Sequence, residues 1–365
     1  MKYTISMSPD ALRSRVGRMD QVAGIQMLQL DDGKARGCRI ARFYTGSGLE
    51  FTVNLDRCMD LSSASYSGAA MGWRSTTGDV APQYYEAEGI RWLRSFNGGL
   101  LTTCGTQNVG PPASDSPESG NGLHGRIANT PAEDIRCSQA WSGDTYLLSL
   151  SGTIRETSVF GVNLALHRTI STQLGSDVIS LRDELVNEGF TPAHFMMLYH
   201  CNIGWPALDA GSQILAPTQK VTPRNETAQE GAQDWYKMDA PTPGYAEKVY
   251  FHEMKPDATG WVSAAIVNKE MIKDGTGFGV CVRYKADTLP SFVQWKQMGT
   301  QEYVLGLEPS TCKVVGVDED TAAGNLEFLQ PGEKKVFQLE YSPIYSKEQY
   351  ENLAAISNST DAPIA

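Results

Sequence analysis

Apolar and polar residues alternate along most of the chain in short runs rich in β-branched and aromatic side chains, the pattern of half-buried strands. Strands are predicted at 36–44, 49–54, 146–153, 164–170, 178–186 and 193–203. Further strands are predicted at 261–267, 278–284, 292–297, 303–307 and 334–341. Gly, Asn, Asp and Pro separate them at hairpin-like intervals. Helical periodicity is confined to 9–18, where Ser8-Pro9 offers an N-cap and a proline at the first helical position, and to 346–357. That excess of strand predicts an all-β, mainly antiparallel sandwich with short helices near the termini. Two polar, Pro-rich segments, 108–122 and 216–244, read as long loops of the kind that cover binding sites. No fixed-period repeat or low-complexity linker divides the chain. We therefore expect one domain over 1–365, with an N-terminal extension and helix in 1–30 and a C-terminal helix and tail in 345–365.

Composition narrows the function. The 365 residues carry 31 Lys and Arg against 42 Asp and Glu, a net charge of −11. A nucleic-acid binder needs a basic footprint, and an anionic lipid surface would repel this chain. No apolar run reaches the roughly 20 residues of a membrane helix. Residues 1–24 lack an apolar stretch followed by a small-residue cleavage site, so no signal peptide is expected. Seven cysteines occur without a CxxC pair, and an odd number cannot all pair internally. The expectation is reduced thiols in a cytoplasmic protein.

Several motifs are absent: GxGxxG, the phosphate-binding GxxxxGK[ST], HExxH and GxSxG. The segment GTGFGV at 275–280 matches none of them. Three local contexts stand out instead. In Asn121-Gly122-Leu123-His124-Gly125-Arg126, glycines on both sides let the backbone turn close to a ligand. In His200-Cys201-Asn202, the period of two puts His200 and Asn202 on one face of a strand, and the even spacing to His194 extends that face. In Leu307-Glu308-Pro309, an apolar strand delivers a carboxylate at its last position, with Pro309 expected to stop the ladder. Apolar surroundings raise a carboxyl pKa, which is how a glutamate becomes useful near neutrality.

In this order, Leu123-His124-Gly125, His200-Cys201-Asn202 and Leu307-Glu308-Pro309 resemble the signature of the aldose 1-epimerase (galactose mutarotase-like) superfamily. The histidines lie 76 residues apart and Glu308 a further 108 along. The resemblance spans about 36–341 and implies a β-supersandwich with a sugar cleft on its concave face. Two departures mark a divergent member. The Asn-Arg pair that usually precedes the Leu-His-Gly loop is missing from 96–105, and Cys201 stands where the family has aromatic residues between His and Asn.

The resemblance implies a sugar 1-epimerase that opens and recloses a hemiacetal by acid–base catalysis, with no metal and no cofactor. It makes Glu308 the base and His200 the acid, with His124 beside the ring oxygen or the sugar hydroxyls. Asn202, Arg57, Arg126 and Lys296 are the remaining substrate-binding candidates, and Trp205 and Trp295 are candidate ring platforms. Cations in the cleft of an acidic protein would favour a carboxylated or phosphorylated sugar. An enediol-forming sugar isomerase and a non-catalytic carbohydrate-binding protein are the alternatives. The expected partner is a small sugar, with no nucleic acid and no membrane; a homodimer is compatible with the sequence.

Overall fold

The alternating runs pair into three main sheets. A computed structural model describes residues 7–113, 122–271 and 277–365. An eight-stranded sheet runs in the order Gln213–Leu215, Trp261–Asn268, Phe278–Lys285, Lys334–Ile344, Ile179–Asn187, Asn163–Gln173, Thr145–Thr157, Glu133–Ser142. A second sheet runs Thr218–Pro223, Lys248–Met254, Ser291–Met298, Tyr303–Ser310, Ala193–Ile203, Glu327–Leu329, and Thr102–Thr106 also pairs with Ala193–Ile203. A five-stranded sheet, from Gly24–Gln29 to Ala69–Ala70, flanks these two. The ladders are antiparallel.

Each predicted run forms a strand, with ends displaced by a few residues. Several strands carry no such signal. Thr102–Thr106 is polar yet buried along its whole length, and Glu133–Ser142 is an edge strand that is mostly exposed. Gly24–Gln29 joins the five-stranded sheet, so the expected N-terminal extension is partly sheet. The first helix is shorter than its periodicity suggests, Pro9–Arg13, capped by Ser8. The second spans Lys347–Ile356, and Ser346 and Gln349 form a capping box. The 216–244 segment is not a structureless loop: it holds the strand Thr218–Pro223 and the short helix Glu226–Gln229. Residues 114–121, most of the other expected loop, and 272–276, which include the first two residues of GTGFGV, lie outside the described residues.

The strand Ala193–Ile203 is the hinge of the architecture. It is buried on both faces from Phe195 onward. Met197, Tyr199, Cys201 and Ile203 enter the large core between the sheets, while Met196 and Leu198 enter a smaller cluster with Trp92, Phe96 and Val293. Between the sheets the core contains one fully buried guanidinium. Arg168 holds Asp183 through two bonds of 2.9 and 2.7 Å and Asp60 through one of 2.7 Å. It also donates to the Cys58 carbonyl and the Thr103 hydroxyl. The Tyr199 hydroxyl donates to Asp183 at 2.8 Å, and Asp60 accepts from the Thr103 amide at 2.8 Å. One cation thus ties the eight-stranded sheet, the five-stranded sheet and the site-bearing sheet to a common point.

Removing one member of a buried ion network leaves uncompensated charge, a loss of about 3–5 kcal/mol. Arg168→Met is expected to lower unfolding free energy by that amount in a urea titration. A loss below about 1 kcal/mol would show that the network is neutral to stability.

Candidate active site

A cavity of about 880 Å³ opens on the face of the second sheet that points away from the main core. Strand alternation selects what faces it: Val249 and Phe251, then Val293, Trp295 and Gln297, then Glu308 and His200. Trp73, Trp92, Phe96, His124 and the segment Gly110–Pro112 also line it. Aromatic and aliphatic walls around a few convergent polar groups are the ordinary make-up of a small-molecule site.

His200 Nε2 stands 3.3 Å from Glu308 Oε1, with both side chains almost wholly buried. The His124 and His200 rings lie edge to face, 5.9 Å apart, and Trp295 meets His200 edge-on at 5.3 Å. The three sequence motifs therefore converge. Burial pushes the Glu308 carboxyl well above the usual carboxylate range, and the Glu247 carboxylate adds to the effect. Burial, reinforced by His124, depresses His200 to about 3. Both shifts run toward the uncharged form, a protonated carboxyl and a neutral imidazole, because neither charge is solvated.

Local sequence explains the placement. Gly306, two residues before Glu308 on the same strand face, makes room for the carboxylate: a Cβ there would sit 2.1 Å from Glu308 Oε1. Pro309 does not end the strand as expected. The ladder with Ser291–Met298 continues through Phe292–Pro309 to Ser291–Ser310. On the other side, pairing with Ala193–Ile203 skips Glu308 and Pro309, so the missing N–H falls where no partner is needed. His124 has a left-handed backbone, φ 58°. Its amide donates to the Gly110 carbonyl at 3.0 Å, and its Nδ1 accepts from the Gly110 amide at 3.3 Å. With Nδ1 occupied as acceptor, the neutral ring carries its proton on Nε2, available to donate. Burial holds this imidazole down to about 4.

The other candidates fall elsewhere. Arg57 is buried and spends its guanidinium on the carbonyls of Ala128, Val80 and Ser95, at 2.6 to 2.9 Å. Lys296 points into the core side of its strand, because Trp295 and Gln297 take the cavity side; its Nζ meets the Lys237 carbonyl at 2.6 Å and Asp239 at 3.0 Å. Arg126 is exposed, off the cavity, and engages the Tyr85 hydroxyl with Glu156 nearby. Asn202 is fully buried behind His200, and its Nδ2 donates to the His200 carbonyl at 2.9 Å. His194 bonds the Gln107 carbonyl at 3.2 Å and stands apart from the cavity. Trp205 is 63% exposed and off the cavity, whereas Trp295 lines it.

Sequence reasoning missed a polar group on the wall. Arg224 pairs with Glu247 at 2.8 Å, and Glu247 accepts the Trp295 indole N–H at 2.7 Å. Glu247 lies just before a strand that has no clear sequence signal, so its direction was not readable. Among the described lining residues, Arg224 and Lys313 face Glu247, Glu302, Glu308 and Glu319. The cavity is not the cationic pocket that Arg57, Arg126 and Lys296 would have made. Among the described residues, no group of three or more His, Cys, Asp or Glu is placed to hold a metal ion, and no helix is long and apolar enough to cross a membrane. All seven cysteines are unpaired, five of them buried.

Comparison with known proteins agrees with this picture at the level of fold. A structure from Klebsiella pneumoniae, provisionally named an aldose 1-epimerase, is 27% identical, with 98% of this chain and 93% of that one covered and a TM-score of 0.87. A galactose mutarotase-like protein from Clostridium acetobutylicum is 13% identical, with coverage of 89% and 100% and a TM-score of 0.60. A galactose 1-epimerase from Lactobacillus acidophilus is 13% identical, with coverage of 88% and 98% and a TM-score of 0.56. No curated protein matches the chain. The sequence family described as Domain of unknown function (DUF4432) matches residues 35–342. The chain belongs to that DUF4432 family, and its fold is the galactose mutarotase-like β-sandwich.

Proposed function

We propose that the protein interconverts the anomers of a neutral aldose, by acid–base ring opening at the His200–Glu308 pair. The carrying observation is the pair itself: two titratable groups 3.3 Å apart, buried together on an aromatic cavity, with opposite pKa shifts. Ring opening takes a proton from the anomeric hydroxyl and gives one to the ring oxygen. A pair that holds one proton can do both. His200 Nε2 accepts while the Glu308 carboxyl donates, and the exchanged state then runs the reverse transfers as the ring closes on its other face. One proton is conserved over the cycle, so either partner serves as acid in one half and base in the other. The His124 Nε2–H is placed to donate to a sugar oxygen, and Trp295, Trp92 and Phe96 offer apolar surface to the ring. The acidic lining supports a neutral sugar over the anionic one suggested by Arg57, Arg126 and Lys296.

The direct test follows freshly dissolved α-anomers by one-dimensional NMR, across neutral aldoses and their uronates. Wild type should accelerate equilibration of a neutral aldose, and Glu308→Gln should lose about 10²–10⁴-fold, the usual worth of a positioned proton-transfer group. Solvent deuterium entering C2 would instead identify an enediol isomerase. Binding without turnover would identify a carbohydrate-binding protein.

The pH profile carries a sign. His200 has a lowered pKa, so it stays a competent base as pH falls through 6.5, the ordinary histidine value. Glu308 has a raised pKa, so the proton is lost, and activity with it, well above the ordinary carboxyl range. kcat/KM should therefore be level across pH 6.5 and fall at higher pH. An acid limb centred near the ordinary histidine value would contradict the pairing.

Gly306→Ala should displace the Glu308 carboxylate, since the new Cβ would sit 2.1 Å from its Oε1, while the Trp295 Cβ, 3.1 Å away, needs to give only a few tenths of an ångström. We expect kcat to fall by about 10²-fold with little change in thermal unfolding. Full activity would show that Glu308 needs no fixed position.

A further inference from the structure

We infer that the cavity seats a second sugar ring beside the one at the acid–base pair, so that the ligand is a reducing disaccharide, an inference that rests on the acid–base reading of His200 and Glu308. Strand register lays the cavity floor out in rows. Phe251 pairs with Val293, Val293 with Glu308, and Glu308 lies beside His200. Two positions along, the next row on this face is Val249, Trp295 and Gly306. The third row holds Gln297, paired with Val304; Glu247 reaches the same level, one residue before the pair Lys248–Lys296. Glu302 continues the face one step further, and Glu247, Gln297 and Glu302 all line the cavity. From Val293 to Gln297 is four strand positions, about 13 Å. A pyranose seated over the first two rows is about 5 Å across, and its hydroxyls reach partners at roughly 2.5–3.2 Å, which leaves the third row beyond its edge. The volume agrees. The cavity measures about 880 Å³. Ligand pockets run from about 300 to 1,000 Å³, and one aldose has only about a dozen non-hydrogen atoms to fill such a space.

The third row is built as a sugar platform. Ile203 pairs with Leu305, so the next residue, Gly204, falls beside Val304 at the level of Gln297. A Cβ on Gly204 would sit 3.1 Å from both Cβ and Cδ1 of Trp73, so the glycine lets this half-buried indole settle directly on the sheet. Trp73 lines the cavity, and Phe96 joins it to the acid–base pair, with ring centroids 6.0 Å from Trp73 and 5.3 Å from His200. Around this indole stand acceptors, Glu247 and Glu302, and a donor: Gln297 Oε1 takes the Gly299 amide at 2.9 Å, so the group it offers a ligand is its Nε2. An apolar face bordered by hydrogen-bonding groups suits a sugar ring, whose C–H face is apolar and whose edge carries hydroxyls. Ile90 and Leu93 also line the cavity while 64% and 48% exposed, apolar surface that one ring at the acid–base pair leaves in water. The anomeric hydroxyl of the inner ring must stay free for ring opening. The outer ring is therefore linked through another position, and the disaccharide is a reducing one.

The test is NMR titration of the full chain with matched pairs that share a reducing end: glucose with cellobiose, maltose and gentiobiose, xylose with xylobiose, mannose with mannobiose, and galactose with galactobiose. At least one disaccharide should bind about tenfold or more tighter than its own reducing-end aldose, the order of one buried apolar side-chain contact. The protons of its non-reducing ring should shift upfield over the Trp73 indole. Trp73→Ala should abolish both the upfield shift and that advantage, lowering disaccharide affinity by a larger factor than aldose affinity. The wild-type comparison carries the test if the variant does not fold. Equal affinities within every matched pair, or an advantage that survives Trp73→Ala, would overturn the inference. Tighter disaccharide binding without anomer equilibration would leave the second subsite standing and count against the proposed function. Equilibration of aldoses with no disaccharide advantage would do the reverse.

Discussion

The arrangement depends on one buried guanidinium. Arg168 gathers Asp183, Asp60, Thr103 and the Cys58 carbonyl, and Asp183 in turn receives the Tyr199 hydroxyl. Apolar packing alone is tolerant of small slips between two sheets, but charged hydrogen bonds in a low-dielectric core are not. Tyr199 is pinned on the core face, so its neighbour His200 is pinned on the other. Thr103, held by Asp60, pairs opposite Tyr199 in the strand on that side. The register that aims His200 at Glu308 is thus set from behind by polar contacts across the sandwich.

The site uses burial as its chemical instrument. Glu308 and His200 are ordinary residues whose protonation preferences are displaced in opposite directions because neither charged form is solvated. A salt bridge of two full charges would be expensive here, and a neutral pair sharing one proton is the cheaper occupant. Gly306 completes the device by leaving space for the carboxylate.

Much of this was legible in the sequence, and the failures have physical reasons. Strands rich in β-branched or aromatic residues announced themselves, as in 49–54 and 193–203, whose ends the structure reproduces. Strands without that contrast did not: Thr102–Thr106 is polar but covered on both faces, and Lys248–Met254 mixes charge into a buried run. The Gly-flanked His124, His200 and Glu308 carried enough local oddity to be singled out, and they meet in space. The cations failed because direction is a property of parity. Val293 sits opposite Glu308, so Trp295 and Gln297 share its face and Lys296 cannot. Arg57 lies in a turn whose carbonyl partners come from three distant loops, which no local pattern reveals.

The most direct test of the account is the protonation state of Glu308 at neutral pH, read by infrared difference spectroscopy between wild type and Glu308→Gln. The account predicts a protonated-carboxyl C=O band that is present in wild type, missing in the variant, and replaced by carboxylate bands only as pH rises well above the ordinary carboxyl range. A Glu308 that is already carboxylate at neutral pH would contradict the one-proton pair.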